Sequence, residues 1–187
     1  MRQESFGVRL CHGQGNTPAA RAAKWFSDWY QHKSTMERER ENRIAARREQ
    51  LTERRAEFQR QTLLDLQDAL FDLMRTTGAM HHQDEMAYRQ TGEWQKQLFG
   101  DELCDKSQVA MRRTAMFQVR VRDASLREMA DDLRKLSAQV TVGTSKSESD
   151  SAMLDAADLF VQVQERIGEI LRTLDDEEAA PLETTKP

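Results

Sequence analysis

A chain of 187 residues is long enough for one hydrophobic core and too short for two ordinary domains with linkers. Charged residues make up 32% of it and aromatics 6%, with three Pro and eight Gly, the profile of long solvated helices rather than of a sheet protein with many turns. The formal charge of −4 excludes a surface that is basic throughout, and nowhere do the roughly 18 consecutive apolar residues of a membrane-spanning helix occur.

Residues 1–17 form a polar leader ending in Gly13-Gln14-Gly15-Asn16, a flexible composition expected to be disordered. Thr17 followed by Pro18 reads as a helix cap with proline at the first helical position. From there to Thr77 no Gly or Pro occurs, so a single helix over this stretch would span about 90 Å and is expected to project from any domain of this size. Residues 18–57 are its charged arm. Between residues 33 and 60 there are nine Lys or Arg and six Glu, and only Met36, Ile44, Leu51 and Phe58 are large and apolar. Pairs such as Glu39 with Arg43 and Glu57 with Arg60 sit at helical neighbour spacing.

Beyond Phe58 the pattern tightens. Leu63, Leu66, Leu70, Leu73, Thr77 and Met80 recur at intervals of three and four, widened by Leu64, Phe71 and Met74. The same rhythm continues past Gly78, so the helix is expected to run on through residues 81–89 before a break at 91–100, where Trp94, Leu98 and Phe99 cap the end of a bundle. A second helix over about 101–121 has Val109, Met116 and Val119 as its core candidates. A third starts at Asp123 as N-cap, with Ser125 and Glu128 as a capping box, and carries Leu126, Met129, Leu133, Leu136 and Val140 up to Gly143. After a polar connector over 144–151, a fourth helix carries Met153, Ala156, Phe160, Val163, Ile167, Ile170 and Leu174 as an unbroken seam. Residues 175–187 form an acidic tail expected to be disordered. Such stripes can be buried only against one another, which predicts an all-α protein: an antiparallel bundle of about four helices over residues 58–174 with one long charged N-terminal helix.

The candidate chemistry is sparse. Cys11 and Cys104 belong to no CxxC or Cys/His grouping, which predicts two reduced thiols in a cytoplasmic protein. His81, His82, Asp84 and Glu85 are the one cluster with metal-ligand residue types, but no histidine has Glu three residues before it, as the di-iron pattern of helical bundles requires. Neither a nucleophile elbow nor a phosphate loop with a Gly-Lys-Ser/Thr ending is present. The expectation is therefore no enzyme, no cofactor, no metal and no small-molecule substrate. Asn42-Arg43-Ile44-Ala45-Ala46-Arg47-Arg48 resembles the basic region of bZIP factors, yet Glu49 and Gln50 follow where that family has a small residue and Arg, and Asp65 breaks the leucine register. With an excess of only three positive charges over residues 33–60, nucleic acid is not the expected partner.

Trp25, Phe26, Trp29 and Tyr30 place four of the chain's twelve aromatics within six residues, directly ahead of the charged helix. Such a cluster suits a protein partner or a second copy of the chain, and Ile44, Leu51 and Phe58 at seven-residue intervals would extend the contact as a coiled-coil seam. The alternative is peripheral attachment at the inner face of a membrane, with Lys24, Lys33 and Arg38 beside the aromatic rings. Trp25-Phe26-Ser27-Asp28-Trp29-Tyr30, the charged run to Arg60 and Val163-Gln164-Glu165-Arg166-Ile167-Gly168 together resemble a broad group of uncharacterised bacterial helical proteins. Those are built as an N-terminal membrane anchor, a charged stalk and a small cytosolic bundle. The resemblance is architectural, spans residues 22–174, and implies a stalk and a bundle but no activity. Residues 1–21 are polar where the group has its apolar span.

Overall fold

The computed structural model describes residues 18–96 and 99–179; the leader, Thr17, Leu98 and the end of the tail lie outside the described residues. Four helices follow one another: α1 (Pro18–Thr91), α2 (Asp101–Gln118), α3 (Ala124–Val142) and α4 (Lys146–Ala179), with no strand among the described residues. The protein is all-α, a four-helix bundle with a long N-terminal helix, as the apolar spacing predicts. Two compact units divide at Gln50 and Leu51.

The 74 residues of α1 are continuous because Pro18 stands in its first turn, where a missing N–H costs nothing, and Gly78 is the one weak helix former within it. It ends where Gly92 takes a left-handed conformation, φ 73°, and donates its N–H to the Tyr88 carbonyl at 2.8 Å. Up to Phe58 no described residue is buried; the first is Gln59. Glu39 and Arg43 (3.3 Å) and Glu57 and Arg60 (3.0 Å) form the pairs their spacing predicts. The first pair is exposed and Arg60 of the second is half-buried, and each is worth a few tenths of a kcal/mol.

From Leu51 onward the helices run antiparallel in chain order. Asp123 at the start of α3 meets Arg166 late in α4 (2.6 Å), and Val140 near the end of α3 accepts from Ser149 near the start of α4 (2.9 Å). Likewise Arg60, Gln67 and His81 along α1 meet Asp175, Gln164 and Asp150 in reverse order along α4. The core between them holds Leu63, Leu66, Leu70 and Leu73 of α1, Leu126 and Leu133 of α3, and Ala156, Val163 and Ile167 of α4. Each such large side chain contributes about 1.5–3 kcal/mol by leaving water.

Four expectations need correction. On α2 the buried residues are Ala110, Thr114 and Phe117, with Val121 just beyond, while Val109, Met116 and Val119 face outward. The inner face of this helix sets the small Ala110 and Thr114 beside Phe117, so Val109, Met116 and Val119 mark the wrong side. The polar connector shrinks to 143–145, because Ser145 accepts the Glu148 N–H (3.2 Å) while the Glu148 carboxylate accepts the Thr144 N–H (2.9 Å). That reciprocal cap starts α4 six residues before the expected point. At its other end α4 continues through Asp175 to Ala179, with Asp175 held by Arg60 at 2.7 Å, so the beginning of the acidic tail is helical. On α3, Asp123 caps the Leu126 N–H as expected (2.7 Å), whereas Ser125 turns to Met129 Sδ (3.9 Å) and makes no capping box.

Candidate interaction surfaces

In the unit ending at Gln50, the side chains of Trp25, Phe26, Trp29, Tyr30, Met36 and Ile44 are all between 44 and 71% exposed. At 100° per residue they fall within an arc of roughly 140°, one face of the helix rather than a scatter. Trp25 and Phe26 meet edge to face with centroids 5.2 Å apart, and the Lys33 ammonium lies 5.7 Å from the Trp29 ring centroid. A cation over an exposed indole is worth about 0.5–1 kcal/mol. Every side chain expected to meet a partner here is therefore accessible to one. No helix in the described residues is long and apolar enough to cross a membrane.

Leu51 belongs to the second unit, and there it lines a groove with Phe58, Arg54, Arg55, Arg120 and Arg122, floored by Gln59. The two arginines of α1 and the two of the α2–α3 turn come together because the turn is pinned to α1. Gln59 donates to the Arg120 carbonyl and accepts from the Arg122 N–H, both at 2.9 Å. Arg127 reinforces the turn from α3, donating to the Val121 carbonyl (2.7 Å) and the Arg122 carbonyl (2.9 Å). None of the four groove arginines has a carboxylate partner among the described residues. Elsewhere in the same unit Arg60, Arg89, Arg113, Arg134 and Arg166 are each paired with one. Arg120 lies over the Phe117 ring (5.8 Å), which steadies its planar head without neutralising it. The sequence reading missed this groove; the only local signal was arginine on both sides of Val121 at a turn.

At the opposite end of the bundle the histidine and carboxylate cluster is committed elsewhere. His81 places Nδ1 3.2 Å from Ser149 Oγ and Nε2 3.2 Å from Asp150 Oδ1, Asp84 is buried against the Lys96 ammonium (2.9 Å), and Glu85 accepts from Arg89 (2.8 Å). The Arg89 hydrogen bond holds the Glu85 carboxyl below its usual range. His82 is exposed. Among the described residues no three His, Cys, Asp or Glu side chains converge as metal ligands would. Lys96 also donates to the Val140 carbonyl (2.9 Å) and packs over Trp94 (4.9 Å), and Trp94 Nε1 donates to the Gly143 carbonyl (3.3 Å). The aromatic cap expected at 91–100 is thus built by Trp94 and Lys96 together. Cys104 is free and half-buried, with its Sγ 3.8 Å from the Phe99 carbonyl oxygen; Cys11 lies outside the described residues. Compared with protein-family models, curated proteins and solved structures, the chain matches none.

Proposed function

We propose that this chain is a non-enzymatic helical interaction protein that binds a protein partner, or a second copy of itself, through the apolar face of α1. The observation that carries the reading is that Trp25, Phe26, Trp29, Tyr30 and Ile44 of the first unit are exposed and share one face of α1; in the second unit Leu51 and Phe58 are exposed as well. Isolated exposed apolar residues are ordinary on any surface, whereas four exposed aromatics within six residues are the composition of contact surfaces. The charges around this face suit a helical partner, since they add register and selectivity at little cost in solubility. No catalytic step enters this reading. Sedimentation of the full chain, paired with a photo-crosslinking residue at position 29 or 44, tests it. The expected result is association weakened by Trp29→Ser and Ile44→Asp, and crosslinks to one partner or to the chain itself. A monomer at all concentrations, with no more crosslinks from position 29 than from solvated position 41, would count against it.

A second reading rests on the make-up of the 25–30 cluster. Exposed Trp and Tyr with Lys24 and Lys33 beside them match the side chains that settle in the headgroup layer of an anionic membrane, which would place the protein at the inner face. Flotation with vesicles containing anionic lipid decides it. Wild type should float and Trp25→Ala with Trp29→Ala should not; a wild type left at the bottom of the gradient ends the idea.

A further inference from the structure

We infer that the groove of four arginines receives the acidic end of α4 from a second copy of this chain. The inference rests on the self-association half of the proposed function and gives it a second, electrostatic contact.

Arg54, Arg55, Arg120 and Arg122 put four positive charges around one concave surface, with Leu51 and Phe58 exposed at its margin and no carboxylate among the described residues paired to any of them. Holding like charges together is unfavourable unless an anion is shared among them, and guanidinium groups are the donors best shaped for carboxylate. The complement is on the same chain: Asp175, Asp176, Glu177 and Glu178 follow one another at the end of α4. Asp175 is spent on Arg60, while Asp176 and Glu177 are exposed and pair with nothing among the described residues. The Arg60 contact fixes where this end of α4 lies, and from there neither carboxylate forms an ion pair with the groove of its own chain. A second copy can supply both. In a two-fold dimer the contact would occur twice, each groove holding the partner's acidic helix end.

Nucleic acid is the less fitting occupant. Residues 51–187 carry 18 Lys and Arg against 26 Asp and Glu, so a long polyanion crossing the groove meets repulsion on either side of it. A helix end with two or three carboxylates touches only the basic patch.

Charge exchange between two full-length variants tests the assignment. One variant carries Arg120→Glu and Arg122→Glu, the other Asp176→Arg and Glu177→Arg; all four positions are exposed, and thermal melts confirm that both remain folded. Sedimentation at low salt should show wild type associating, each variant alone associating about tenfold more weakly or worse, and an equimolar mixture associating more tightly than either, because the mixed dimer regains one wild-type contact and in the other sets the introduced carboxylates against the introduced arginines. Association of wild type should weaken as salt is raised. A mixture no better than its components, or a wild type that stays monomeric at low salt, overturns the inference. So does a monomeric chain that binds a single-stranded oligonucleotide and loses it with Arg120→Glu and Arg122→Glu, which would assign the groove to nucleic acid. If Ile44→Asp abolishes association while both charge variants associate like wild type, the apolar face of α1 stands as the contact and the groove assignment falls alone.

Discussion

The side-chain amide of Gln59 in α1 and the backbone N–H of Arg122 in the α2–α3 turn are joined at 2.9 Å, across more than sixty residues of chain. The other end of the same amide donates to the Arg120 carbonyl, so a single buried side chain satisfies both polar directions of the turn and fixes it against the first core turn of α1. This clamp sits where the exposed part of α1 gives way to the buried part.

Gln59→Leu removes donor and acceptor together and leaves two backbone groups to find water at a partly covered site. The expected loss is about 1–3 kcal/mol in unfolding free energy, read from the urea midpoint at unchanged m. Gln59→Glu keeps the acceptor for Arg122 and loses the donor to Arg120, so it should fall between wild type and Leu. Equal stability for all three would mean that the turn holds without the clamp.

The long apolar stripes of α1, α3 and α4 were legible in the sequence because Leu, Ile and Val recur at helical spacing and bulk marks the buried side. Spacing misleads on α2, whose inner face sets the small Ala110 and Thr114 beside Phe117, and Val119 and Val121 measure the error. Two residues apart, they are 75% and 2% exposed. Val121→Ala should cost about 2 kcal/mol and Val119→Ala less than about 0.5 kcal/mol in thermal or urea unfolding. The aromatic face at residues 25–30 was legible for the same reason as the stripes. The arginine groove was not, because its two halves are brought together only by the antiparallel register and the Gln59 clamp, neither of which local spacing encodes. The early start of α4 was hidden by composition, since a Ser-rich stretch reads as a linker until Glu148 is seen to close the cap on Thr144.

Gly78 and Gly143 respond in opposite ways to a methyl group. A Cβ at Gly78 would meet only the end of Met153 at 3.7 Å, ordinary contact within a helix, whereas at Gly143 it would stand 3.2 Å from the Gln139 carbonyl oxygen and 3.3 Å from both Cβ and backbone N of Ser149. Gly78→Ala is expected to stabilise by about 0.5–1 kcal/mol through helix propensity. Gly143→Ala should destabilise by about 1–3 kcal/mol, since the start of α4 would have to move. The same sign for both would show that close approach does not select glycine at the α3–α4 turn.

Two core hydroxyls, Thr114 Oγ1 and Ser137 Oγ, are buried without a hydrogen-bond partner among the described residues. Replacing such a group by an apolar one of similar shape removes a desolvation cost and opens little space. Thr114→Val and Ser137→Ala should therefore be neutral or raise stability by up to about 1 kcal/mol each. A clear loss in either would point to a water held by that hydroxyl.

Asp123 does two jobs, capping α3 through the Leu126 N–H and pairing with Arg166 of α4, and pH separates them. The Arg166 hydrogen bond, opposed by burial and helped by the Leu126 N–H, holds its carboxyl below the ordinary range. A carboxyl lowered on folding contributes stability that is present above its unfolded value, about 4, and is lost as pH falls through the lower folded value. Asn caps as well as Asp, so Asp123→Asn should keep the cap, lose the charge pair, and differ from wild type by less than about 1 kcal/mol at pH 7, because Arg166 is more than a third exposed. That difference should shrink toward zero below about pH 4. Asp123→Ala also loses the cap, a further deficit of about 1 kcal/mol that acid does not remove. Urea unfolding of the three chains between pH 3 and 7 makes the comparison. Parallel stability curves for Asn and wild type would mean that the Arg166 contact contributes nothing through charge.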